Sequence, residues 1–109
     1  MTLRQRRPRL PDPGYLKWLR VQRCACGCFR GPPCDAAHLR ASSLAYDKPI
    51  TGIGRKPDDR WALPLNHWCH MAQHRHNELQ WWADRGVKDP FALCLKFYER
   101  YQREGNENG

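Results

Sequence analysis

Apolar and polar positions alternate along this chain in short blocks, with turn residues between them. The first block, "DPGYLKWLRVQR", opens with Asp12 as a helix N-cap and Pro13 at the first helical position, where the missing N–H costs nothing. Tyr15, Leu16 and Leu19 follow at helix spacing and predict a short amphipathic helix. "AAHLR" reads as one short strand, and "RWALPL" as a second, with Pro64 near its end. Between them lies the long irregular segment "ASSLAYDKPITGIGRKPDD"; loops of that length in a small domain are usually functional or disordered. A helix is expected from about His67 to Asp84, closed by Arg85 and Gly86. "DPFALCLKFYERYQ" predicts a last helix, with Phe91, Leu95 and Tyr98 on one face and Cys94 in the core. "REGNENG" reads as a frayed tail.

The pattern predicts an α+β fold: a short β-hairpin packed on a helix, with flanking helices. With 109 residues there is room for one domain and one modest core, for which five Trp, four Tyr and three Phe provide large anchors. The expected division is a basic arm over 1–11, a domain over 12–103 and a disordered tail over 104–109. Trp81 and Trp82 are expected as core anchors against the last helix, in preference to base-stacking platforms.

Charge changes the picture. The net charge is +8, and residues 1–30 carry eight Lys/Arg against a single acid. Arg4, Arg6, Arg7 and Arg9 concentrate that excess in an arm suited to a phosphate backbone. In "GIGRK", Gly52 and Gly54 let the backbone approach a phosphate, and Arg55 and Lys56 can clamp a DNA strand. No apolar run is long enough to span a bilayer, and the N-terminus lacks the apolar segment of a signal peptide. The expected location is the cytoplasm, with no membrane partner.

The cysteines and histidines carry the chemistry. Four of six cysteines fall in "CACGCFRGPPC". In a reducing compartment such a cluster points to zinc ahead of disulfides. The expected structural Zn²⁺ site is a set of four from Cys24, Cys26, Cys28, Cys34 and Cys69, with His67 as a further candidate. Four of the five histidines lie in "WALPLNHWCHMAQHRH". His70 and His74 are one helical turn apart and can share a divalent ion. The residue after His70 is Met71, not the glutamate base of an HExxH metalloprotease, so that chemistry is excluded. His38, in "CDAAHLR", has the imidazole needed to take a proton from water near neutral pH.

"CDAAHLR", "GIGRKPDDRWALPLNHWCHMAQH" and "WWADRGVKDPFAL" together resemble the HNH, or ββα-metal, nuclease superfamily. Within it the chain is most similar to small phage-type proteins related to the RecA-dependent Ref nuclease. The resemblance spans roughly residues 12–100. It implies a β-hairpin and a helix around one divalent ion, Mg²⁺ or Mn²⁺, and hydrolysis of DNA phosphodiester bonds in a bacterial host cell. A phage or prophage origin and a recombination or replication protein partner belong to the same expectation. His38 matches the general base, and His70 and His74 match the metal ligands.

The chain also departs from the family pattern. The place directly before the base, a ligand in many members, is Ala37. Asp35 is the nearest carboxylate that can substitute, although strand alternation puts it on the face opposite His38. Trp61 stands about where the middle Asn would fall, and Asp58 or Asp59 can brace the loop instead. Asn66 replaces one cysteine of the Cys-x-x-Cys that many relatives carry. The alternatives are a zinc-stabilised DNA-binding module without catalysis and a zinc-braced interaction protein.

Overall fold

The structure is a computed structural model and describes residues 11–28, 30–43, 45–46 and 58–108. The basic arm with Arg4, Arg6, Arg7 and Arg9, and the Arg55–Lys56 pair, lie outside the described residues. The fold is α+β: helix α1 (Pro13–Arg20), strand β1 (Asp35–His38), a 3₁₀ turn (Asp59–Trp61), strand β2 (Ala62–Leu65), then helices α2 (His67–His74), α3 (Glu78–Asp84) and α4 (Pro90–Asn108). Among the described residues no helix is long and apolar enough to cross a membrane.

β1 and β2 pair antiparallel, with Asp35 opposite Leu65, Ala36 opposite Pro64, Ala37 opposite Leu63 and His38 opposite Ala62. Directly opposed residues share a face of the ladder. One face therefore carries Asp35, Ala37, Leu63 and Leu65, and the other carries Ala36, His38, Ala62 and Pro64. Each face packs on a different cluster. Ala37, Leu63 and Leu65 join Trp61, Trp81, Trp82, Phe91 and Cys94 in the larger core. Ala62, with Ala36 beside it, packs on Tyr15 and Leu19 of α1. Burying Trp81 and Trp82 removes about 150–250 Å² each from water, about 4–6 kcal/mol apiece as an upper estimate.

α1 starts where its sequence predicts. Asp12 Oδ1 accepts the backbone N–H of Tyr15 at 3.2 Å, and Tyr15 and Leu19 are fully buried. Tyr15 Oη donates to the Ala62 carbonyl at 3.1 Å, tying the helix to β2.

Three expectations change. The single helix over 67–84 is two helices, because the Asn77 side chain accepts the Gln80 N–H at 3.0 Å and starts a new one. On α4, Leu95 is exposed. Its packed stripe runs through Phe91 and Cys94 in the larger core to Tyr98 and Tyr101 against α1. α4 also extends to Asn108, taking in most of the expected tail. Ion pairs one turn apart, Arg100 with Glu104 and Arg103 with Glu99, accompany the extension. Trp18 Nε1 also donates to Glu104 at 2.8 Å.

Candidate metal centre and histidine site

The cysteine loop returns to the start of α2. Sγ atoms of Cys24, Cys26, Cys28 and Cys69 all lie within 4.8 Å of one another. Individual separations are 3.3 Å for Cys24–Cys26, 3.5 Å for Cys26–Cys69 and 3.7 Å for Cys69–Cys28. A tetrahedral site with metal–sulfur arms of ~2.3 Å has sulfur–sulfur edges of ~3.8 Å. The four sulfurs thus sit close to the vertices a single tetrahedral ion requires, and all six cysteines are free thiols.

The local chain explains the convergence. Gly27 turns the loop at φ +88°, a left-handed conformation that disfavours side chains, between the second and third cysteines of the set. The Ala25 N–H bonds the Pro64 carbonyl at 2.8 Å and pins the loop to β2. The Asn66 N–H points at Cys24 Sγ at 3.2 Å, a donor suited to a thiolate. Cys34, one of the five candidates, is buried outside this set, and Cys94 lies in the core as expected.

Burial raises the Cys69 thiol to about 11, with the surrounding thiols contributing in both directions. Cys26 is raised further, by burial and its contact with Cys24. Burial also raises Cys28, but the Arg30 backbone N–H and the neighbouring thiols outweigh it and hold Cys28 at about 7. A metal entering this set must displace protons from most of it, so loading weakens in acid.

The second cluster begins one residue along α2. Asp35 Oδ2 lies 2.9 Å from His70 Nδ1 and 3.0 Å from His67 Nδ1. His70 Nε2 is 3.1 Å from His74 Nε2. His67 therefore turns to Asp35 and takes no place among the thiols. Burial alone would raise the Asp35 carboxyl, yet the hydrogen bonds and charges of His70 and His67 hold it below its ordinary value. Asp35 is on the face opposite His38, as alternation predicts. Asp35 and His74 meet opposite nitrogens of the His70 ring, so the three do not converge on one point; among the described residues the four thiols are the group that does.

His38 forms a separate pair. Its Nε2 is 2.8 Å from Asp59 Oδ1, with side-chain exposures of 14% and 2%. Asp59 Oδ2 accepts the Asp12 N–H at 2.7 Å. Asp12 in turn accepts from Tyr98 Oη at 2.8 Å, so α1 and α4 both brace the carboxylate. Asp58 and Asp59 are alike in sequence; it is Asp59 that turns inward. Trp81 and Trp82 are core residues, while Trp68, unremarked by the sequence pattern, is 72% exposed on α2.

No protein-family model, curated protein or solved structure matches this chain.

Proposed function

We propose that this chain is a metal-dependent endonuclease of the HNH type, with a ββα-metal finger made of β1, β2 and α2, that hydrolyses DNA phosphodiester bonds. One observation carries the reading. The four-residue strand β1 brings a carboxylate to His70 on one face and, on the other, carries His38 against the buried carboxylate of Asp59. His70 and His74, whose Nε2 atoms are 3.1 Å apart, would hold a divalent ion, Mg²⁺ or Mn²⁺, and Asp35, on the Nδ1 side of His70, would orient that ring; the ion's contribution when bound is charge stabilisation of the phosphate and the departing 3′ oxygen.

The chain's own groups handle the proton. With Asp59 ionised, the hydrogen bond places the His38 proton on Nε2, and the lone pair is then on Nδ1. The His38 imidazole takes the proton of the attacking water. The imidazolium that forms is stabilised by the buried Asp59 carboxylate, which the Asp12 N–H keeps in place. The Cys24–Cys26–Cys28–Cys69 set holds a structural Zn²⁺ in this reading, since a closed tetrathiolate leaves no open position for substrate. It locks the N-terminal loop to the helix that carries His70.

A zinc-stabilised DNA-binding module without catalysis is the second reading, favoured by Ala37, which is buried and offers no ligand atom. The test is plasmid nicking by full-length protein, freed of loosely held metal, with Mg²⁺, Mn²⁺ or neither. Nicking only with added ion supports the endonuclease. DNA binding without nicking under any condition supports the module.

A further inference from the structure

Trp68 is the most exposed large apolar side chain among the described residues, at 72%, yet it belongs to the helix that holds Cys69 and His70. A structural role does not account for it, because Trp61, Trp81 and Trp82 already fill the core. Its surroundings are cationic and polar. Asn66 Oδ1 accepts the Trp68 backbone N–H at 3.0 Å, and the same oxygen lies 3.4 Å from Arg30 Nη1. The Asn66 side chain thus places an exposed guanidinium at the N-terminus of the helix that carries the exposed indole. The His67 ring, itself held by Asp35, stands edge-on to the indole at 6.1 Å between centroids. The indole thus stands beside His67, which Asp35 holds, and the guanidinium lies at the same end of α2.

We propose that Trp68 and Arg30 form a strand-docking site for unpaired nucleic acid, the indole stacking on a nucleobase and the guanidinium meeting its phosphate. This rests on the endonuclease reading and narrows it: the DNA taken up has an unstacked base beside the scissile bond, as in a single strand, gap or flap. An exposed aromatic face and a cation at the same helix end match the two surfaces that each unpaired nucleotide offers, a π-face and an anionic phosphate. In an intact duplex the bases are stacked on one another, and their faces cannot meet the indole. A second copy of this chain would be a poorer occupant, since Arg30 would then face a chain of net charge +8.

The experiment uses full-length zinc-loaded His38→Ala protein, which removes the proposed base. Fluorescence anisotropy follows labelled oligothymidine and a duplex of equal length over a salt series. Adding Trp68→Ala should weaken oligothymidine binding by at least about fivefold, the lower end of the stacking range. It should leave duplex affinity and the salt slope nearly unchanged, and Trp68→Phe should retain most of the single-strand affinity. Arg30→Ala should instead reduce the salt slope by about 0.7, one phosphate contact on a single strand. If the parent binds oligothymidine and Trp68→Ala binds it equally well, the docking site is wrong and the endonuclease reading stands. Equal losses on both DNA forms, or a change only in sedimentation, also overturn it. If the parent binds neither form, both readings fall.

Discussion

Asp59 Oδ1 stands 2.8 Å from His38 Nε2, in a pocket that leaves the carboxylate almost wholly out of water. A buried carboxylate persists only when it is paired and hydrogen-bonded, and here the imidazole and the Asp12 N–H are two of its partners. Asp59→Asn keeps the shape and removes the charge that selects the tautomer. The expected result is a loss of nicking rate of at least about tenfold, less than the about 10²–10⁴-fold loss of a general base itself. Metal affinity should be unchanged. A variant that stays folded and nicks at the wild-type rate shows that Asp59 does not position His38.

The proposed zinc set makes a sharp distinction among cysteines. Purified protein should contain one zinc per chain by atomic emission. Cys69→Ser should lose it and several kcal/mol of stability, a Tm drop well beyond about 10 °C. Cys34→Ser should retain zinc, because Cys34 lies outside the four converging sulfurs. Zinc loss from Cys34→Ser and zinc retention in Cys69→Ser would reverse the assignment.

Acid should release that zinc. The thiols of Cys26 and Cys69 are raised above their ordinary range, chiefly by burial, so protons compete for the sulfurs while metal holds them ionised. Apparent zinc affinity, measured by competition with a chelator whose own protonation is accounted for, should fall as pH is lowered from 8 to 6. An affinity flat across that interval contradicts a thiolate site.

In the proposed site Asp35 acts on the ligand His70 and not on His38. Asp35→Asn and His74→Ala should each raise the Mn²⁺ concentration needed for half-maximal nicking by about 10- to 100-fold, with part of the rate restored at high Mn²⁺. His70→Ala should be more severe, because its neighbour Cys69 belongs to the zinc set. Unchanged Mn²⁺ dependence in Asp35→Asn would show that the carboxylate does not orient His70.

Much of this arrangement was legible in the residues, and the misses have physical causes. Asp12–Pro13 announced α1 because a cap and a preset φ act locally. The alternation of "CDAAHLR" placed Asp35 and His38 on opposite faces of β1. Convergence is different: which sulfurs meet depends on the left-handed turn at Gly27 and on β2 holding Ala25, contacts far apart in sequence. The choice of Asp59 over Asp58 likewise depends on the distant N–H of Asp12. The break at Asn77 was missed because the apolar spacing of "ELQWW" continues a helical pattern while one side-chain cap restarts the helix. Trp68 went unremarked because an exposed indole and a core indole look the same in sequence.

The central claim is that His38 is the base of a metal-dependent DNA hydrolase. The most direct test compares plasmid nicking by wild-type and His38→Ala protein at saturating Mn²⁺, with zinc content and Mn²⁺ affinity measured on both. The account predicts matching zinc and Mn²⁺ binding, and a rate lower by about 10²–10⁴-fold in the variant. Equal rates would contradict it and leave the noncatalytic zinc module as the better description.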